Sequence, residues 1–218
     1  YGTFHGKAIK EEVYRPDWRA AERREYTIIL SDILSKLLPD GVPGSISTVP
    51  CSYKGWIRSK GDVRLMVVNL LHCAAHMDEI EKKTGRHISL ALEPEPDCFI
   101  ETTDDVLSFF RDHILNPESC ISHPASRTLS HLGICFDTCH FAVQFENLQA
   151  SLAKIVENGI CVPKIQLSAA LKLQINETSL KELGQFCDPV YLHQVRMAAT
   201  NSFCGGKRQF AGQAGGSA

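Results

Sequence analysis

The most restrictive feature of this sequence is a repeated hand-over from short apolar runs to helical periodicity. Ser45–Val49 ends at Pro50, His87–Leu92 runs into Glu93, His131–Phe136 runs into Asp137, and Val162–Leu167 runs into Ser168. The starts near 45, 87, 131 and 162 are 42, 44 and 31 residues apart. That is room for one helix and its loops between successive strands. Asp17 is the expected cap of a helix over Trp18 to about Leu38, with Tyr26, Ile29/Leu30, Ile33/Leu34 and Leu37 recurring every three to four residues and Pro39-Asp40-Gly41 stopping it. A second helix is expected over Asp62–Lys83, with Val63, Val67, Leu70, Ala74 and Met77 as one stripe and Gly85 as its end. Thr102 or Thr103 caps a third, with Asp104 and Asp105 in its first turn, where the helix dipole favours acids. Asn147–Glu157 forms a fourth, closed by Asn158-Gly159. Two short ones follow, capped by Thr178 and by Asp188 with Pro189.

Strands alternating with helices imply βαβ units and a parallel sheet. A doubly wound open sheet and a (β/α)8 barrel both satisfy that rhythm. No GxGxxG or GxxxxGK[ST] follows a strand, so the nucleotide-binding open sheets lose support. A closed barrel needs eight strands and typically about 250 residues. Four strands in 218 residues therefore imply an open sheet or an incomplete barrel.

Composition removes several function classes. Lys+Arg is 23 and Asp+Glu is 25, a net charge of −2, and no Lys/Arg-rich run occurs, which argues against a general nucleic-acid binder. No apolar run approaches the roughly 20 residues of a membrane helix. The nine cysteines are odd in number and lack any CxxC. Cys73, Cys98, Cys135 and Cys161 lie in or beside apolar segments, the pattern of reduced, buried thiols in a cytoplasmic protein. Residues 198–218 are rich in Gly, Ala and Ser and read as linker or disorder, leaving residues 1–197 for the partial barrel domain. A start at Tyr1 without a secretory leader fits a fragment of a longer chain.

In a parallel α/β fold the carboxyl ends of the strands converge on one face, where sites are built. Glu93, Asp137 and His140 are thereby gathered, and two carboxylates with an imidazole suit a divalent cation such as Mn²⁺, Mg²⁺ or Zn²⁺. The plainer alternative is that an acid at a strand end caps the next helix. His72 and His76 stand i, i+4 but roughly opposite the apolar stripe, as a solvated face. His5, flanked by glycines, is a substrate contact or a plain loop histidine. Cys139 packs, Glu95 is a loop residue, and Tyr53, Lys54 and Trp56 line the pocket or an exposed loop. His113, His123, His131 and His193 carry no separable signal.

L-E-P-E-P after one strand and F-D-T-C-H after the next resemble the xylose isomerase-like TIM-barrel superfamily of sugar-phosphate isomerases and epimerases, which also holds endonuclease IV-type repair enzymes. With Y-G-T-F-H-G, V-Y-R-P-D-W-R, G-S-I-S-T-V-P and K-I-Q-L-S-A-A-L, the chain is more closely similar to the metabolite-traffic EboE group over about residues 1–197. The resemblance implies an incomplete TIM barrel with parallel strands and a metal site at its mouth. Glu93 and Asp137 would be metal ligands. His140 would be a ligand or a substrate contact, and Gln166 a further ligand or substrate-binding residue. Glu93 and His140 are the candidates for proton transfer; His5 and Ser168 join Gln166 as candidates for substrate binding. The reaction implied is metal-dependent isomerisation or epimerisation of a sugar- or polyol-like metabolite, in which a carboxylate moves a proton. Alternatives are a non-catalytic role in metabolite binding or traffic with membrane partner proteins, an inactive fragment whose open sheet edges favour association, and, least, DNA repair.

Overall fold

The computed structural model describes residues 10–115, 129–186 and 193–198. Four strands form one sheet: β1 (Gly44–Thr48), β2 (Ile88–Leu92), β3 (Leu132–Asp137) and β4 (Cys161–Gln166). All pair in parallel, in the order β1-β2-β3-β4. A doubly wound sheet reverses its strand order at a switch point; strictly sequential order is the winding of a barrel. The fold is an incomplete (β/α)8 barrel, and its strands start within one residue of the expected positions.

The helices are α1 (Ala21–Leu37), α2 (Lys60–Thr84), α3 (Thr103–Phe109, continued by a π-helical turn over Phe110–Ile114), α4 (Thr138–Val143), α5 (Leu148–Glu157) and α6 (Glu177–Gly184). Their ends have local causes. Ser59 and Asp62 form a capping box at the start of α2, and Gly85 ends it in the left-handed conformation at φ 71°. Thr102 and Asp105 form a second capping box at α3. Asn147 caps α5. Asn176, rather than Thr178, caps α6. The expected helix at Asp188 lies outside the described residues, as do nearly all of residues 198–218. Among the described residues no helix is long and apolar enough to cross a membrane.

The core lies between the helices and the convex face of the sheet. Ile88, Leu90, Leu92, Leu132, Ile134 and Phe136 pack with Met66, Leu70, Ala74 and Met77 of α2, all of them buried. At about 25 cal/mol per Å², burial of side chains of this size contributes roughly 1.5–3 kcal/mol each.

α1 departs from expectation. Its buried residues are Thr27, Ser31 and Ser35, while Ile29, Ile33 and Leu37 are 56%, 50% and 72% exposed. The three hydroxyls donate back to the Arg23, Ile28 and Asp32 carbonyls at 2.7–2.8 Å, so they bury without an unmet polar atom. Asp17 does not cap the helix. It accepts from Arg19 and, at 2.6 Å, from the Ser52 hydroxyl, tying the entry of α1 to the loop after β1. His76 is likewise not a purely solvated residue, because its Nε2 lies 2.7 Å from Asp32 on α1.

The concave face carries small and polar side chains. The pairing Ser47↔Ala91↔Gly133 sets one level across the sheet. Lys164 of β4 donates to Ser47 of β1 at 3.0 Å, so the sheet curls enough for its two edge strands to touch across the concavity. The six described cysteines are free thiols: Cys51, Cys73, Cys98 and Cys135 are buried and Cys139 partly so, whereas Cys161, expected to be buried, is exposed on edge strand β4.

Candidate functional site

The register between β3 and β4 builds the rim. Gly133 pairs with Cys161 and Cys135 with Lys164, so β3 advances two residues while β4 advances three. Pro163 sits in this bulge, on an edge strand, where the missing N–H is tolerated. The extra residue resets the alternation, and Lys164 and Gln166 then share a face with their partners Cys135 and Asp137.

Gln166 joins the two carboxylates. Its Nε2 donates to Glu93 Oε1 at 2.9 Å and to Asp137 Oδ2 at 2.7 Å. The two acids, 44 positions apart in the chain, are therefore no farther apart than those two hydrogen bonds laid end to end. Asp137 is buried and fully engaged: Oδ1 accepts from the Cys139 backbone N–H at 3.0 Å and from the Ser168 hydroxyl. It thus caps α4, the plain role open to any strand-end acid, while its second oxygen faces Gln166. His140, in the first turn of α4, points Nδ1 at the Pro94 carbonyl (3.1 Å) and lies 3.7 Å from Glu93 Oε1. Nδ1 therefore carries the proton when the ring is neutral. Thr138 and Ser168 lock the strand ends together, Thr138 Oγ1 donating to the Ser168 carbonyl at 2.7 Å.

The two carboxyls are shifted in opposite directions. Burial pushes the Glu93 carboxyl up; the His140 charge opposes this and the Asp137 charge adds to it. Burial also acts to raise Asp137, but hydrogen bonds from Ser168 and Cys139 outweigh it, and the carboxyl lies below its ordinary value. Opposite shifts of this kind are how neighbouring carboxyls come to take different roles. Burial raises Cys139 and drives Cys135, beside Glu93, up to about 12, so neither is a ready thiolate.

Glu93, Asp137, His140, Gln166 and Ser168 thus meet at one rim; His5 lies outside the described residues. Two neighbours carry no separate sequence signal for the site. Cys139 brings its sulfur within 4.8 Å of ligand atoms of Asp137 and His140. Lys164 lines the concave face beneath Gln166, and only the bulge reveals its direction. Tyr53, Lys54 and Trp56 turn elsewhere. Tyr53 stacks on Tyr14, Trp56 takes the Arg15 guanidinium at 4.2 Å, and Lys54 pairs with Glu101. Glu95 accepts from Tyr14 at 2.8 Å and Gln194 at 2.6 Å. Glu101 is held by Arg196, the Asp97 N–H, Gln144 and Lys54; burial opposes them, yet its carboxyl falls to about 2.

The donor set fits a divalent cation. Asp137, Cys139 and His140 bring ligand-type atoms within 4.8 Å of one another, and Glu93 borders them 3.7 Å from His140 Nδ1. Two carboxylates, an imidazole and an amide oxygen are ordinary ligands for Mn²⁺, Mg²⁺ or Zn²⁺.

The sequence matches no protein-family description, and no curated protein matches it. Solved structures show a partial similarity to the chain. One is the IolI protein with a bound zinc atom, at 17% identity and a TM-score of 0.40, covering 64% of this chain and 42% of that one; this chain therefore spans less than half of its length. Another is the apo form of 3-keto-D-glucoside 4-epimerase, YcjR, from E. coli, at 13% identity and a TM-score of 0.39, covering 76% of this chain and 72% of that one.

Proposed function

We propose that the rim formed by Glu93, Asp137, His140 and Gln166 is part of a divalent-metal-dependent isomerase or epimerase site for a sugar- or polyol-like metabolite. The observation that carries this reading is the single Gln166 amide shared by Glu93 and Asp137. Asp137, fixed by Ser168 and Cys139, Glu93 and His140 would hold the cation. When bound, it would polarise neighbouring hydroxyl and carbonyl oxygens of the substrate.

The chain's own residues supply the rest. Glu93, pushed up by burial, is suited to take a proton from carbon and return it. His140 Nδ1, held by the Pro94 carbonyl, lies 3.7 Å from Glu93, where charge on the ring would favour the carboxylate. Ser168, Lys164 and Ser47 offer donors and acceptors for hydroxyl groups along the concave face; His5 is proposed for the same task. Kinship with the metabolite-traffic EboE group, and the membrane partners it implies, rests on the sequence motifs alone.

The test is solvent exchange. With Mn²⁺ and a panel of ketoses, aldoses and inosose-like polyols in deuterated water, the chain should introduce deuterium at the carbon beside the carbonyl, and Glu93→Gln should abolish this. Asp137→Asn should weaken Mn²⁺ binding at least about ten-fold. Tight binding of a sugar without exchange would favour a carrier. Unchanged Mn²⁺ affinity in both variants would defeat the reading.

A further inference from the structure

The turn that carries Glu93 out of β2 is short of backbone tethers. In Glu93-Pro94-Glu95-Pro96-Asp97 the prolines have no N–H, so only alternate residues can donate. Glu93 N–H donates to the Thr48 carbonyl at 3.0 Å, Glu95 N–H to the Ile100 carbonyl at 3.2 Å, and Asp97 N–H to Glu101 Oε1 at 3.2 Å. Asp97 also sits at φ 70°, in the left-handed region where a side chain is strained. Strain of this kind persists only where the surroundings over-determine the backbone.

The side chains that hold this turn come from far along the chain. Gln194 Nε2 donates to Glu95 Oε1 at 2.6 Å and to the Pro96 carbonyl at 3.0 Å. Arg196 Nη2 donates to Asp97 Oδ1 at 2.8 Å and to Glu101 Oε1 at 2.6 Å. The Arg196 side chain is 6% exposed, so these ion pairs are shielded from solvent and neither partner is easily left alone. Tyr14 adds a third hold, its hydroxyl donating to Glu95 Oε1 at 2.8 Å while its ring stacks on Tyr53. On the other flank of the same turn, the Pro94 carbonyl accepts from His140 Nδ1 at 3.1 Å and Glu93 Oε1 accepts from Gln166 at 2.9 Å. The turn thus lies between residues 194–196 and the candidate rim.

We infer, on the proposed assignment of Glu93 and His140 to the rim site, that Gln194 and Arg196 are positioning residues for that site. They fix the Glu93–Asp97 turn and, through the Pro94 carbonyl, the His140 ring. Without the guanidinium, Asp97 and Glu101 lose the cation they share and the strained turn is released. The Pro94 carbonyl then leaves His140 Nδ1, and the 3.7 Å spacing of His140 and Glu93 goes with it. A lysine at 196 supplies the charge without the planar fork and restores part of the hold.

The experiment follows the His140 Nδ1 proton by NMR in the metal-free full chain, and then the Mn²⁺ affinity. In the parent, the bond to Pro94 should protect this proton from exchange with solvent. Arg196→Gln and Gln194→Ala should each lose the signal, and Arg196→Lys should restore part of it. Both losses should weaken Mn²⁺ binding at least about ten-fold, as outer-shell substitutions do. Ile80→Val, in the buried part of α2 near its far end, should lower the thermal midpoint and leave both readings at the parent values, which separates position from stability. Emission from the buried Trp18 reports that the variants remain folded, and Gln194→Ala, which removes no charge, carries the test if Arg196→Gln unfolds. No protected proton in the parent, a proton unchanged in the variants, or a lost proton with unchanged Mn²⁺ affinity would overturn the positioning role, whatever the rim catalyses. Loss of both proton and affinity, with no deuterium exchange by the parent, would uphold it and defeat the isomerase reading instead.

Discussion

Lys164 of β4 donates to Ser47 of β1 at 3.0 Å, joining the two edge strands across the concave face. A long side chain on one edge thus spans what three strand pairings separate. Replacing it with an apolar chain of similar length removes the tie and leaves the convex core untouched. Lys164→Met should cost about 1.5–3 kcal/mol in urea unfolding, the range for a hydrogen bond that involves a charged group. A midpoint equal to that of the parent would show that the edges are held by the core alone.

The Gln166 amide lowers the Glu93 carboxyl against the burial that raises it. Gln166→Leu removes that donor and leaves Asp137 as close as before. Glu93 should therefore move further up, visible in a carboxyl-carbon NMR titration of the metal-free chain. A downward shift would mean that the amide does not lie between the two acids.

Glu101 carries the acid limb of stability. Its folded carboxyl lies at about 2 against an ordinary 4.5, so the contribution is complete above the unfolded value and is lost as pH falls through the folded one. Glu101→Gln should lower stability at pH 7 by at most about 3 kcal/mol. The gap from the parent should narrow steadily between about pH 4.5 and pH 2. A gap independent of pH would locate the effect in packing rather than in the ion pairs with Arg196 and Lys54.

Gly133 is fixed by contact. A Cβ there would come within 2.5 Å of the Cys161 carbonyl oxygen and 2.7 Å of the Pro163 ring, both parts of the neighbouring strand. Gly133→Ala should therefore cost about 1–3 kcal/mol by overpacking, read as a lowered thermal midpoint. A neutral effect would mean that the bulge yields.

The strands, the helix order and the strand-end acids were legible because each rests on short-range chemistry: alternation, caps, and Pro or Gly stops. α1 misled in part: Ile29, Ile33 and Leu37 follow helical spacing yet face outward, whereas Leu34 of the same stripe packs on the core and hydroxyls bonded to their own helix are buried. Cys139 and Lys164 were hidden because their directions depend on the start of α4 and on the bulge.

The bulge at Pro163 makes the rim a matter of parity. One residue added or removed between Cys161 and Lys164 would turn Lys164 and Gln166 outward and bring Ile165 into the concavity; two would leave them facing as they do now. In this six-residue strand, whether an insertion is odd or even outweighs what it is made of.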